Sequence, residues 1–165
     1  MANTYTIVEA KTLGSSTASV TFTSIPATYT DLCILMSARS TTGSPDSEIS
    51  EINGSSANLE GKWFFGENGS VTSGSYSGNV VLVGLPKSTN TASTFGNVQI
   101  YISNYTGSQH KSISIDSVSE NNAANEAFTT FATGLWSNTS AITSIKLSGN
   151  FATNSTFHLY GIKNS

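Results

Sequence analysis

Two segments decide the fold: Phe95-Gly-Asn-Val-Gln-Ile-Tyr-Ile102 and Lys111-Ser-Ile-Ser-Ile-Asp-Ser-Val118. In the first, Val98, Ile100 and Ile102 alternate with Asn97, Gln99 and Tyr101. In the second, Ile113 and Ile115 alternate with Ser and Asp. A strand sends successive side chains to opposite faces, so period-two alternation marks a strand with one face buried and one exposed. The same pattern extends outward in both directions. Ala18, Val20 and Phe22 alternate with Ser and Thr, and Pro26 stops that strand. Residues 31–39 are apolar on both faces, which predicts a central strand covered on both sides. Residues 79–85, ended by Pro86, and residues 142–147 and 157–162 complete the clear strands.

Turn chemistry lies between these segments. Asn53-Gly54 and Asn68-Gly69 are preferred hairpin dipeptides, because both residues tolerate positive φ. Gly43-Ser44-Pro45-Asp46, Tyr105-Thr106-Gly107-Ser108 and Ser148-Gly149-Asn150 read as loops. Ser70–Ser77, rich in Ser, Gly and Thr, reads as a long surface loop, and residues 121–127 allow one short turn of helix. There is no internal repeat and no linker. The expectation is one domain over residues 1–165: an all-β, single antiparallel β-sandwich, jelly-roll-like, with about eight to ten strands.

Composition agrees and excludes other classes. The 165 residues include 29 Ser, 22 Thr and 15 Asn, while charged residues are only 10%. Ser, Thr and Asn compete with helical backbone for hydrogen bonds, so bundles and coiled coils are excluded. A hydrophobic fraction of 37% with net charge −3 argues against disorder. Seven basic residues, scattered singly, offer no footprint for nucleic acid. No apolar run approaches a membrane span, and the first ten residues show no signal peptide. Cys33, the only cysteine, precludes an intrachain disulfide.

No catalytic constellation emerges. His110 reads as a solvated loop residue and His158 as a surface strand residue. Asp46, Glu48 and Glu51 form the densest acidic stretch and read as a solvated loop rather than a calcium site. Gly74-Ser-Tyr-Ser-Gly78 fits the letters of a hydrolase elbow, but no strand-to-helix turn surrounds it. Cys33 lies in an apolar run and reads as an inert thiol, and Arg39 reads as a surface or rim residue. The expectation is no enzyme, no metal and no cofactor.

One cluster stands out. Trp63, Phe64 and Phe65 are consecutive, so on a strand Trp63 and Phe65 face one way and Phe64 the other. One side packs in the core, and the other needs a loop, a subunit or a ligand to cover it. These three residues are the candidate interface.

Several segments carry a resemblance: Thr21-Phe-Thr-Ser-Ile-Pro-Ala-Thr-Tyr-Thr-Asp-Leu32, running into Ser37-Ala-Arg39; Thr94-Phe-Gly-Asn-Val98; Ile115-Asp-Ser-Val118; Gly134-Leu-Trp-Ser-Asn138; and Leu159-Tyr-Gly-Ile-Lys163. The pattern resembles small β-rich virion proteins of tailed phages, notably those infecting marine bacteria and cyanobacteria. It spans most of the chain and is weakest over residues 41–77. It implies a structural protein of the virion, assembled in the host cytoplasm and acting as a homo-oligomer on the major capsid protein or other virion proteins. Capsid decoration or cement is favoured over a tail-fibre or receptor-binding module, because sandwich-like strands begin almost at residue 5, with no attachment segment or repetitive shaft. A carbohydrate-binding β-sandwich, contacting a cell-surface glycan, is the remaining alternative.

Overall fold

The computed structural model describes residues 4–44, 47–67, 69–82, 84–120, 122 and 128–163. Among these residues the regular structure is entirely β. In chain order the strands are β1 (Tyr5–Thr12), β2 (Thr17–Phe22), β3 (Asp31–Ala38), β4 (Glu48–Ile52), β5 (Leu59–Glu67) and β6 (Ser70–Ser77). They continue as β7 (Val80–Val81), β8 (Gly96–Ile102), β9 (Lys111–Ser119), β10 (Phe128–Trp136), β11 (Ile145–Phe151) and β12 (Thr156–Ile162).

They form two antiparallel sheets, one of eight strands in the order β1-β12-β3-β8-β9-β10-β5-β6, the other of four in the order β2-β11-β4-β7. The connectivity is that of a rolled ribbon. β1 pairs with β12, β2 with β11, β3 with β8 and β4 with β7, each antiparallel. Rolling that ribbon brings β12 against β3 and β11 against β4. This is a jelly roll of two four-stranded sheets. Two hairpins, β5–β6 and β9–β10, are inserted into it and extend one sheet beyond β8.

The core lies between the sheets. Phe22, Leu32, Ile34, Ile49, Ile52, Leu59, Leu82, Ile100, Phe151 and Phe157 are wholly or almost wholly buried. Phe151 of β11 meets Phe157 of β12 edge to face across the two sheets, with ring centroids 4.8 Å apart. The alternation in β9 is complete, each buried residue followed by an exposed one. At Asn53-Gly54 both residues have positive φ, and Ile52 and Ser55 exchange backbone hydrogen bonds across them, as a two-residue hairpin turn requires.

Several expectations need correction. Ser70–Ser77 is a strand, β6, paired along its whole length with β5; its small polar side chains hid an edge strand that needs no apolar face. The segment at 79–85 contributes only Val80–Val81 as strand, although Leu82 and Leu85 are also buried. The segment at 142–147 starts later, at Ile145, and runs on to Phe151. Among the described residues the strands number twelve rather than about eight to ten. The outer face of β3 is covered only in part: Asp31 and Cys33 are buried there, but Leu35 is 38% exposed. The expected helical turn at 121–127, of which only Asn122 is described, the Asn68 half of the second hairpin dipeptide, and Pro45 and Asp46 lie outside the described residues.

Candidate functional site

The inserted hairpins shape the most distinctive surface. On β5 the side chains split as alternation demands. Trp63 packs against the core, and Phe65 stacks on Phe128 with centroids 5.3 Å apart. Trp63 also lies over Gly74 of β6, leaving no room there for a Cβ, and stacks with Tyr76 at 6.2 Å. Phe64 points the other way and is 59% exposed. Its register partner on β10 is Phe131, 60% exposed. Directly opposed residues on neighbouring strands have Cβ atoms only about 5 Å apart, so the two rings form one apolar feature.

That pair sits in a row crossing six strands: Leu35, Gln99, Asp116, Phe131, Phe64 and Ser73 are successive register partners from β3 to β6. Val118 and Val71, both well exposed, lie on the same face. Two depressions flank the aromatic pair. One, of about 330 Å³, is lined by Leu35, Asn97, Gln99, Asp116 and Val118 among others. The other, of about 500 Å³, is lined by residues including Lys62, Ser75, Thr133 and Leu135. The arrangement offers a broad apolar patch edged by hydrogen-bonding groups. The sequence pointed to Phe64, but not to Phe131, which joins it only through the β5–β10 register.

The other candidates have structural partners. Cys33 is buried in a register row between Tyr160 and Tyr101, and burial, with the Asp116 charge, pushes its thiol pKa up. A thiol held protonated is a poor nucleophile. Arg39 is not a simple rim residue. Its guanidinium donates to the carbonyls of Thr91 at 2.7 Å, Asn90 at 2.8 Å and Thr94 at 3.2 Å, clamping the loop before β8. Glu48 accepts from Asn79 Nδ2, and Glu51 pairs with Lys146 at 2.7 Å. Among the described residues no group of three His, Cys, Asp or Glu is placed to hold a metal ion. Gly74-Ser-Tyr-Ser-Gly78 lies on and just after β6, with no helix following. His110 is exposed in the loop between β8 and β9, and His158 lies on the outer face, tilted against Tyr160.

Asp31, 4% exposed, ties β3 to β8. It accepts from the Tyr101 hydroxyl at 2.6 Å and from the Asn104 N–H at 2.7 Å. The bond to Asp31, reinforced by burial, pushes the Tyr101 pKa up to about 12. An unfolded tyrosine titrates near 10, so between these values the folded chain binds more protons. Stability from this bond is therefore complete below pH ~10 and is lost as pH rises toward ~12. An ultraviolet titration should show a late tyrosine phase. Tyr101→Phe should remove part of it, with Tyr105, also raised by burial, supplying the rest. An unchanged phase in the variant would contradict this assignment.

No protein-family model matches the chain, and no curated protein matches it. Among solved structures, the D2–D3 domains of the flagellar cap protein FliD from Escherichia coli align at 13% identity and a TM-score of 0.14. That alignment covers 95% of this chain and 98% of the other. So low a score carries no argument about fold or function. Among the described residues, no helix is long and apolar enough to cross a membrane.

Proposed function

We propose that this is a non-enzymatic virion structural protein, a capsid decoration protein. In this reading it docks on the major capsid protein lattice through the outer face of its eight-stranded sheet. The observation that carries the reading is the Phe64–Phe131 pair, two aromatic rings more than half exposed on the outer face of the sheet. Aromatic residues bury much area for little lost rotamer freedom and are enriched at interfaces. The resemblance to phage virion proteins supports the same reading, and jelly rolls are a common capsid architecture, a fold-level analogy only. With 10% charged residues and net charge −3, docking would rest on apolar and hydrogen-bonding contacts rather than ion pairs.

One observation favours a second reading as a carbohydrate-binding module. Asp116 is the register partner of both Phe131 and Gln99, so carboxylate and amide groups adjoin an aromatic ring. A sugar uses both, stacking on the ring and bonding through its hydroxyls.

Phe64→Ala and Phe131→Ala separate these readings. Each should change the stability of the isolated protein by no more than about 0.5 kcal/mol, as expected for exposed positions. Decoration predicts that both variants are lost from assembled particles, in which the wild type is present in hundreds of copies. About a dozen copies would instead indicate a tail component. Full incorporation of both variants would sink the docking reading, and loss of binding on a glycan array would favour the second. Trp63→Ala, which removes a ring packed on the core, should destabilise the isolated domain.

A further inference from the structure

The two edges of the eight-stranded sheet are built differently. An open edge strand is a template for pairing with another chain, and proteins usually guard it with charge, proline or a bulge. β1 is guarded. Its pairing with β12 shifts register between Ile7 and Glu9, and Glu9 and Lys11 form an ion pair at 2.6 Å. Lys11 also sits 5.8 Å over the ring of Phe22, the last residue of β2, the edge of the smaller sheet on that side. At the smaller sheet's other edge, β7 is only two residues long.

β6 has none of these devices. Its sequence, Ser-Val-Thr-Ser-Gly-Ser-Tyr-Ser, holds no charge and no proline, and its register against β5 is unbroken from Glu67↔Ser70 to Glu60↔Ser77. Every β6 residue except Gly74 is exposed. Hydrogen-bonded and non-bonded pairs alternate along an antiparallel ladder. The Gly78 N–H donates to the Leu59 carbonyl at 2.7 Å, which fixes the phase. Ser70, Thr72, Gly74 and Tyr76 therefore bond to β5. Val71, Ser73, Ser75 and Ser77 turn their N–H and C=O groups to the open side.

We propose that β6 is a self-association edge: two copies of the chain join their eight-stranded sheets by antiparallel β6–β6 pairing about a two-fold axis at Gly74. This edge borders the docking face, whose last residues Val71, Ser73 and Ser75 stand on β6, but the proposal does not depend on the virion reading. The occupant follows from charge and symmetry. A neutral strand selects no oppositely charged partner, and pairing with its own copy incurs no like-charge repulsion. An antiparallel pair is self-complementary about a two-fold axis. In this register Ser73 opposes Ser75 of the second copy and Val71 opposes its Ser77, so all four outward residues of each strand are used. Gly74 meets its copy with no side chain on the axis. Tyr76, 43% exposed, comes to lie beside Thr72 of the second copy.

The test uses the full purified chain. Sedimentation across a concentration series should show a monomer–dimer equilibrium. In the dimer, amide exchange should slow at Val71, Ser73, Ser75 and Ser77 and stay unchanged at Thr72 and Tyr76. Ser73→Pro deletes one outward N–H without touching the β5 ladder, and Ser75→Lys places a cation at the seam. Each should weaken dimerisation about tenfold or more while leaving the melting temperature of the monomer close to wild type. Use of two unlike substitutions guards against local misfolding in either one. A chain that stays monomeric at every concentration overturns the proposal and leaves the edge to a strand of different sequence. A dimer insensitive to both variants, or one that protects other amides, overturns it equally.

Discussion

Lys111→Met is expected to cost the fold about 3 kcal/mol, because it removes a buried ammonium from three part-buried carbonyls. Lys111 opens β9 and is only 1% exposed. Its ammonium donates to the carbonyls of Gly107 and Gln109, both at 2.6 Å, and of Asn138 at 3.3 Å, and lies 5.7 Å from the ring of Trp136. It therefore binds the loop between β8 and β9 to the chain leaving β10. Burial lowers the lysine pKa, so holding the charge there has a desolvation cost that the carbonyls offset. Methionine matches the length and apolar stem but donates nothing. Each carbonyl left unpaired in a buried site costs roughly 1–3 kcal/mol, and partial hydration at the loop end limits the sum. Equilibrium denaturation of the variant measures this. A loss below about 1 kcal/mol would mean that water replaces the ammonium freely.

Phe157→Ala is expected to cost about 4 kcal/mol, within the range for deleting a buried aromatic ring. Phe157 is fully buried, and its neighbours come from both sheets: Met36 in register on β3, and Phe151 edge to face on β11. Neither sheet can move into the space without breaking its own ladder, so the cavity persists. The denaturation midpoint should fall with the slope against denaturant unchanged, since the surface exposed on unfolding is nearly the same. A loss under about 1.5 kcal/mol would show instead that the core collapses into the gap.

What could be read from the sequence depended on whether a strand's outer face is polar. β9 and β8 could be read because Ser, Asp, Asn and Gln face outward between Ile and Val. β10 could not, because its exposed positions include Phe131 and Leu135, and apolar residues on both faces erase the alternation. β6 was missed for the opposite reason, being almost uniformly polar. The split of Trp63 and Phe65 from Phe64 was readable, since it depends only on strand geometry. Phe131 and the Arg39 clamp were not, because each depends on pairing between segments far apart in the chain.

The large sheet is a composite. Rolled from β1, β2, β3, β4, β7, β8, β11 and β12, the ribbon closes its own pairings, whereas Phe64, Phe131, Val71 and Val118 all stand on the two added hairpins. These exposed apolar residues thus stand on the hairpins, whose opposite faces bury Leu59, Ile113, Ile115, Phe128 and Trp136. A related protein with other hairpins at the same two insertion points would keep this scaffold and present a different surface. Sequence drift confined to the outward-facing positions of the hairpins, such as Phe64, Val71, Val118 and Phe131, would change that surface and leave the buried residues of the same strands in place. The jelly roll is the chassis here, and the outer side of the hairpins is the panel mounted on it.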